Sequence, residues 1–260
     1  MSIHPTSIIG PDVELADDVV IGPFCVLRGK VKIGPETTLL SHVAIGCDDG
    51  VVEIGRGNQF YPGSVIGLPP QDHKYKGEAT QVVIGDGNTI RECVTINLGT
   101  VPGGGVTRLG DHNLIMAYCH IAHDCHFGSH IDAASSCNFG GHVIVGDHVK
   151  IGGMVGVVQF CRIGRFAYVG GASAINKDII PYSIAQGNWA ISRATNLVGL
   201  ERAGYSAEAR QQIAKAVKLL LRGVETIDQL LATIEREFPV SEEVQHLIEF
   251  VRRSQKGIAR

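Results

Sequence analysis

Apolar residues recur at every sixth position along most of the first 175 residues of this chain. The longest unbroken series comprises Leu109, Ile115, Ile121, Phe127, Ala133, Phe139, Val145, Ile151, Val157, Ile163, Val169 and Ile175. An α-helix has a period of 3.6 residues and a strand a period of 2, so neither explains this repeat. Hexapeptide repeats are typical of a parallel β-helix, in which three hexads close one triangular coil. We therefore expect residues three hexads apart to stack in columns along a rigid prism.

The repeat is interrupted twice, over 67–83 and over 97–108. The first interruption is rich in charged residues, and the second contains three successive glycines at 103–105. Loops that leave a rigid solenoid often carry its binding residues. We therefore expect the function to lie at these interruptions.

The composition changes near residue 188 towards Ala, Leu, Glu, Lys, Arg and Gln. Ser206, Thr226 and Ser241 are typical N-caps, and Thr226 forms a capping box with Gln229. The sequence therefore predicts a mainly β fold, with a parallel β-helix over 1–187 and a C-terminal α-helical domain over 188–260. Within the latter we expect helices at 206–222, 226–237 and 241–254, after a short leading turn or helix.

Composition excludes several classes of protein. The net charge of −3 gives no reason to expect a nucleic acid partner. No apolar run is long enough for a membrane span, and no signal peptide is evident. The seven cysteines occur singly, which favours reduced thiols and a cytoplasmic location. Lys215, Lys218 and Arg222 would share one helical face, either as an ordinary solvated face or as a docking patch for an acidic protein.

Three histidines, His112, His130 and His148, lie 18 residues apart. They should stack at one corner of the prism, and we interpret them as a structural ladder because a straight column does not converge on one metal ion. Cys119 and Cys125 carry no mark of activated nucleophiles, so we expect them to serve packing.

A second group of polar residues surrounds the inward-facing Ile121. His120 and His123 flank it, and Asp124 follows directly. His142 lies 18 residues after Asp124, as Asn138 does after His120, so the period predicts one polar cluster on one wall. A histidine beside a carboxylate suits general-base chemistry, because the carboxylate fixes the tautomer and stabilises the imidazolium. The alternative is a set of solvated turn residues.

Several segments together carry a family resemblance, and the order of β-helix, two loops and helical tail matches as well. They are Gln71-Asp72-His73-Lys74-Tyr75 with Gly77-Glu78, His120-Ile121-Ala122-His123-Asp124, Gly152-Gly153-Met154, Gln159-Phe160-Cys161 and Ile184-Ala185-Gln186-Gly187-Asn188. The chain resembles the bacterial UDP-N-acetylglucosamine O-acyltransferase family of hexapeptide-repeat acyltransferases, which catalyses the first step of lipid A synthesis. The resemblance implies a left-handed β-helix.

The resemblance also implies catalytic roles. His123 would take the proton from the sugar 3-hydroxyl, whose oxygen attacks the thioester of a 3-hydroxyacyl chain on acyl carrier protein. Asp124 would orient His123, and the backbone amide of Gly141 would help to hold the oxyanion.

Further roles follow from the same resemblance. Lys74, His120 and Arg202 would hold the nucleotide sugar, with a second set nearby: Gln71, Asp72, His142, Gln159 and Asn196. Gly171 stands where the family sets acyl length, and a glycine leaves room for about C12 to C14 or longer. The family implies a homotrimer with active sites between subunits, and neither a cofactor nor a metal.

Three positions depart from the familiar pattern. Asn97 and Val158 stand where a histidine is familiar, and Val198 stands where a glutamate is. These changes concern nucleotide-sugar recognition and leave the acceptor open, since some members acylate a 3-amino sugar and form an amide.

Other functions compete with this one. A later N-acyltransferase of the same pathway also has a hexapeptide β-helix, but it carries a uridine-binding domain before the helix, and here the hexads begin at Ile3. A γ-class carbonic anhydrase would hold zinc on three histidines between subunits. A non-enzymatic β-helical scaffold would need none of these side chains.

Overall fold

The computed structural model describes residues 1–260. Its strands are β1 Ser2–Ile3, β2 Ile8–Ile9, β3 Val13–Leu15, β4 Val20–Ile21, β5 Val26–Leu27, β6 Lys30–Ile33, β7 Thr38–Leu39, β8 Ala44–Ile45, β9 Val51–Ile54, β10 Gln59–Phe60, β11 Val65–Leu68, β12 Gln81–Ile84, β13 Thr89–Ile90, β14 Thr95–Asn97, β15 Val106–Leu109, β16 Leu114–Ile115, β17 His120–Ile121, β18 His126–Phe127, β19 Asp132–Ala133, β20 Asn138–Phe139, β21 Ile144–Val145, β22 Lys150–Ile151, β23 Gly156–Val157, β24 Arg162–Ile163, β25 Tyr168–Val169, β26 Ala174–Ile175, β27 Ser183–Gly187 and β28 Ala190–Thr195. The helices are α1 Leu197–Arg202, α2 Ala207–Arg222, α3 Ile227–Glu237 and α4 Glu242–Arg252, and Val101–Gly103 forms a 3₁₀ turn.

These strands form three sheets that make the faces of a triangular prism. Sheet 1 runs from β1 through every third strand to β25 and ends in β27 and β28. Sheet 2 contains β2 through β26, and sheet 3 contains β3 through β24. Neighbouring coils pair in parallel, as His120 pairs with Asn138 and Asn138 with Gly156. The predicted left-handed parallel β-helix is confirmed.

The hexad residues form one continuous apolar core inside the prism. Burying each of these side chains contributes about 1.5–3 kcal/mol. Ile3 is an exception to the predicted burial, because 37% of it remains exposed. It belongs to the first coil, which has no coil beneath it, and stacking on both sides is what buries a solenoid residue.

The three corners of the prism differ. The first corner joins sheet 1 to sheet 2, the second joins sheet 2 to sheet 3, and the third joins sheet 3 to sheet 1. Both long loops leave from the second corner. They span 69–80 and 98–105 and are shorter than the predicted 67–83 and 97–108, because β12 and β15 begin earlier than the hexad pattern indicates.

The predicted histidine ladder occupies the third corner. The rings of His112 and His130 stack with centroids 5.3 Å apart, and those of His130 and His148 with centroids 4.7 Å apart. Phe166 continues the stack at 4.5 Å from His148. Each of these histidines has a positive φ, which a turn of the coil requires.

The C-terminal part packs against the end of the prism around a second apolar cluster. Ser206, Thr226 and Ser241 cap α2, α3 and α4, and the capping box of Thr226 with Gln229 is present. The antiparallel pair of β27 and β28 crosses position 188, so the predicted helical domain begins with a strand. Its cluster also includes Ile180 and Tyr182, which precede the predicted boundary. No helix is both long and apolar enough to cross a bilayer.

Candidate active site

A cleft of about 600 Å³ opens on the outer face of sheet 2, next to the second corner. The outward side chains along it change from the large polar His120 and Asn138 to the small Gly156 and Ala174 on the next two coils. The lining residues are Gln71, His120, Ala122, His123, Asn138, Phe139, Gly140, Gly141, Gly156, Val157, Val158, Gln159, Ala174 and Trp189. The cleft therefore joins a polar end to a small, mostly apolar end.

His123 and Asp124 form a hydrogen-bonded pair in the turn after β17. His123 Nδ1 lies 2.8 Å from Asp124 Oδ2, and only 3% of Asp124 is exposed. An ionised carboxylate can only accept hydrogen bonds, so Nδ1 carries the proton in this contact. Nε2 of His123 then keeps its lone pair for a proton from a molecule in the cleft.

The second loop, residues 98–105, holds the carboxylate of Asp124 from behind. The backbone N–H of Thr100 donates to Oδ1 at 2.8 Å, and the Thr100 hydroxyl donates to Oδ2 at 2.6 Å. The backbone N–H of Asp124 donates to Thr107 Oγ1 at 2.8 Å. Sequence reasoning missed these threonines, because Thr100 lies 24 and Thr107 17 residues before Asp124, and neither separation is the period of 18.

His142 lies above Asp124 on the next coil, as the period predicts. Its Nε2 is 3.8 Å from Asp124 Oδ2, and its ring meets that of His123 edge-on at 5.1 Å. Phe160 stacks on its other side with centroids 4.3 Å apart. Burial lowers the pKa of His142, so its imidazole is neutral at pH 7.

His120 is fixed by a contact with the preceding coil. Its Nδ1 lies 2.7 Å from the hydroxyl of Thr95, which leaves Nε2 for the cleft. Burial lowers the pKa of His120, and the nearby His123 lowers it further. Two neutral histidines therefore face or flank the pair formed by His123 and Asp124.

Gly141 brings the backbone against the ring of His123. A Cβ at this position would lie 2.5 Å from Cε1 and 2.7 Å from Nε2 of His123, so only glycine fits without displacing the ring. The N–H of Gly141 donates to no group of the protein. This free donor borders the cleft at the face where Nε2 is available.

Comparisons with known proteins agree on one family. A family model described as "Udp N-acetylglucosamine O-acyltransferase; Domain 2" matches residues 178–259. An acyl-[acyl-carrier-protein]–UDP-N-acetylglucosamine O-acyltransferase of Halorhodospira halophila is 46% identical over 258 residues, which are 99% of each chain. The enzyme of that name from Myxococcus xanthus is 43% identical over 99% of each chain. The solved structure of LpxA from Acinetobacter baumannii superposes with a TM-score of 0.96, at 41% identity and 99% coverage of both chains.

The chain belongs to the UDP-N-acetylglucosamine O-acyltransferase family. It is therefore an acyltransferase, as the sequence predicts.

In this O-acyltransferase the first loop reaches the cleft through Gln71. Asp72 turns inward on its own loop, where its carboxylate accepts the backbone N–H of Lys74 at 2.9 Å, and this bond lowers the pKa of Asp72. Lys74 is exposed beside the cleft and does not line it. Asn97 is buried, and its amide donates to the carbonyl of Pro69 at 3.1 Å, so it anchors the first loop. Val158 lines the cleft.

Three further predicted site residues of the O-acyltransferase lie away from this cleft, on other parts of the chain. Gly171 is exposed on the first corner, directly above Gly153. Asn196 caps α1 and donates to the carbonyl of Phe166 at 2.9 Å on the third corner. Arg202 is exposed at the end of α1, and Val198 is exposed near its start. One chain of the enzyme therefore does not bring all of these residues together.

The cleft of the O-acyltransferase also contains a residue that sequence reasoning missed. Trp189 is the only tryptophan of the chain, and it stands in the turn between β27 and β28 with 56% of its surface exposed. It lines the end of the cleft near Ala174. Its fluorescence can therefore report occupancy of the cleft without any label.

Proposed function

We propose that this enzyme transfers a 3-hydroxyacyl chain from acyl carrier protein to the 3-hydroxyl of UDP-N-acetylglucosamine, the first step of lipid A synthesis. His123 acts as general base. The observation that carries the proposal is the contact of His123 Nδ1 with buried Asp124, which leaves Nε2 facing an open cleft of the family's fold. Family membership supplies the substrates.

The reaction proceeds as an acyl transfer with one proton relay. Nε2 of His123 takes the proton of the sugar 3-hydroxyl while the oxygen attacks the thioester carbonyl. Asp124 holds the ring by its Nδ1–H and stabilises the imidazolium that forms. When the C–S bond breaks, the imidazolium returns the proton to the thiolate that leaves on the carrier.

The free N–H of Gly141 stabilises the oxyanion of the tetrahedral intermediate. Preorganised backbone donors do this well, because they need no reorganisation during the reaction. The contact distances that exclude a side chain at Gly141 put this N–H within the same few ångströms as Nε2 of His123.

The nucleotide sugar binds at the polar end of the cleft. Gln71 and His120 line this end, and the exposed Lys74 can reach a phosphate above it. Gln159 lines the cleft two coils further along, on the coil of Gly156. His142 does not line the cleft, and it supports the site by packing against the ring of His123. Asp72 supports Lys74 through the turn that they share.

The enzyme is a homotrimer whose sites lie between subunits. Gly171 lies on the first corner, Asn196 contacts the third corner and Arg202 ends α1, so a second copy is needed to bring them to His123. The first corner also exposes large apolar side chains that a second copy would cover: Phe24, Leu40, Tyr118 and Met154. We place the enzyme in the cytoplasm, which its seven free cysteines support.

The zinc alternative has one observation in its favour. Donor atoms of His123, Asp124 and His142 lie within 4.8 Å of one another. However, both oxygens of Asp124 already accept hydrogen bonds from Thr100 and His123, and the stacked ladder of His112, His130 and His148 does not converge. Two histidines and one carboxylate that is already hydrogen-bonded fit a proton relay better than a zinc site, for which a γ-class carbonic anhydrase would use three histidines.

The test is an acyl-transfer assay with 3-hydroxyacyl carrier proteins of several chain lengths. UDP-N-acetylglucosamine and its 3-amino analogue are offered side by side, and an ester on the first is the expected product. A preference for the amine would replace the proposed acceptor. Transfer at the wild-type rate by His123→Ala would remove His123 as base, and one zinc per subunit in protein purified without added metal would favour the carbonic anhydrase.

A further inference from the structure

We propose that Thr100 is a positioning residue for the reaction: its hydroxyl shares Oδ2 of Asp124 with His123 and thereby sets how strongly the carboxylate holds the imidazolium. This inference rests on the proposed function. It assigns a role to the second loop, residues 98–105, which contributes no side chain to the lining of the cleft.

The geometry at Asp124 is specific. The Thr100 hydroxyl donates to Oδ2 at 2.6 Å, and His123 Nδ1 lies 2.8 Å from the same oxygen. The Asp124 side chain is completely buried, so no water dilutes this arrangement. The Thr100 hydroxyl and His123 Nδ1 therefore both hydrogen-bond to Oδ2, while the Thr100 backbone N–H donates to Oδ1.

The loop itself is built to keep Thr100 in place. The Thr100 hydroxyl accepts the N–H of Gly103, and its carbonyl accepts the N–H of Gly105 at 2.8 Å. Gly103 packs onto the carboxylate of Asp124 so closely that a Cβ would overlap it. The loop therefore encloses the buried carboxylate of Asp124 and supplies hydrogen-bond donors in place of water.

Hydrogen bonds to a carboxylate stabilise its charge and reduce what it offers to another partner. Without the Thr100 hydroxyl, Oδ2 interacts with His123 alone, and the protonated ring gains stability. The acid limb of the pH profile of kcat/KM then moves to higher pH. The other titratable groups near the pair are His120, His142, His126, Cys125 and Asp72, and substitution at Thr100 leaves all of them in place.

The experiment compares Thr100→Val, which removes the hydroxyl and keeps the shape, with Thr100→Ser, which keeps the hydroxyl. Thr37→Val is the matched control, because Thr37 is also buried and donates to the carbonyl of Gly55 in a coil remote from the cleft. The readouts are the pH profile of kcat/KM, the Kd for UDP-N-acetylglucosamine from isothermal titration calorimetry, and Tm.

For Thr100→Val we expect kcat to fall about 10- to 100-fold, because the carboxylate loses the hydroxyl that fixes Oδ2 and the His123 ring loses its alignment, and this loss outweighs the greater stability of the imidazolium. We also expect the midpoint of the acid limb to rise by about 0.5–1 pH unit, while Kd is unchanged. Thr100→Ser should restore most of the lost activity and the wild-type midpoint. Thr37→Val should lower only Tm.

An unshifted acid limb in Thr100→Val would overturn the role of Thr100, whether kcat falls or not, because a merely structural loss does not move it. Failure of Thr100→Ser to restore the midpoint would overturn it too. These outcomes are separate from failure of the proposed function, which is tested by His123→Ala. Loss of transfer in His123→Ala beside an unshifted Thr100→Val would reject the role of Thr100 alone.

Discussion

Asn88 and Asn113 are joined inside the β-helix by a hydrogen bond from Nδ2 of Asn113 to Oδ1 of Asn88, 2.9 Å long. The same oxygen accepts the backbone N–H of Asn113 at 2.9 Å. One rung below, Asn58 receives the side chain and backbone of Asn88 in the same way. The three side chains form a buried ladder along the third corner, within the coils that carry the loops.

This ladder predicts a large loss of stability for Asn88→Leu. The substitution keeps the volume but leaves two buried donors of Asn113 without their acceptor, at a cost of about 2–5 kcal/mol in the free energy of unfolding. Urea unfolding should show this loss, with an unchanged m-value. Thr89→Ala, which alters the outward neighbour, should cost much less. Equal losses in the two variants would contradict the role of the ladder.

The same residues show what the sequence could and could not predict about the fold. From Leu109 onwards the repeat is unbroken, so the period of 18 correctly placed His142 beside Asp124 and stacked His130 on His112. In the coils with loops, the ladder residues are instead 30 and 25 apart, which hides them from any fixed period. The strand over 190–195 was missed for a related reason, because it pairs antiparallel and follows no hexad.

Four partly buried histidines predict an acid-sensitive fold. Burial lowers the pKa of His148, and the stacked His130 lowers it further. The pKa of histidine in the unfolded chain is about 6.5, so below that pH the unfolded chain binds a proton more readily than the folded chain does. The free energy of unfolding therefore falls as the pH drops from 7.5 to 5. Partial burial also lowers the pKa of His120, His142 and His246, so they act in the same direction.

Thermal unfolding at several pH values checks this prediction. His148→Asn should flatten the dependence of Tm on pH, because asparagine tolerates the positive φ of this position and does not titrate. His73→Asn, in the exposed first loop, should leave the slope unchanged. If both variants kept the wild-type slope, proton binding by the ladder would not be its source.

A basic groove between β28 and α2 predicts where the acyl carrier protein docks. Arg193, Lys218 and Arg222 line it, and Lys215 is exposed on the same helix. Reversing two of these charges in Lys218→Glu/Arg222→Glu should raise the KM for the carrier about 10-fold and weaken its salt dependence, while KM for the sugar nucleotide stays constant. Lys30→Glu, on the far coils, is the control. Unchanged kinetics would return these residues to an ordinary solvated face.

Gly171 predicts a change in acyl-chain preference. A Cβ there would meet only the backbone of Gly152 and Gly153, with the Gly153 carbonyl oxygen at 3.3 Å, so a methionine fits on the exposed first corner after a small adjustment. If a second copy turns this corner towards the cleft, Gly171→Met shortens the space for the chain. Competition between carriers with different acyl lengths should then favour shorter chains. An unaltered preference would show that Gly171 does not measure length in this chain.

The sequence predicted the site residues that lie within the regular hexapeptide repeat, but not those that lie outside it. His123 and Asp124 follow from the hexads and from the resemblance, because they sit in the regular turn after β17. Thr100 and Trp189 could not be found in this way, since a loop and a hairpin turn bring them to the site. Asn196 and Arg202 match the family resemblance, yet within one chain they lie at the two ends of α1, away from the cleft, so their proposed role depends on assembly.

Gly141 gives the sharpest prediction about catalysis. Its φ is not positive, so the backbone tolerates alanine, but the new methyl group would lie 2.5 Å from Cε1 of His123 and must push the ring aside. Gly141→Ala should therefore lower kcat about 10- to 1000-fold, because both the base and the N–H beside it lose their alignment. The Kd for the sugar nucleotide, measured by isothermal titration calorimetry, and Tm should change little. Gly10→Ala is the matched control, since a Cβ there meets only the first coils and leaves the cleft untouched. Full activity in Gly141→Ala would mean that His123 works in another position than the one it occupies here, and would contradict the oxyanion assignment of Gly141, which depends on that position.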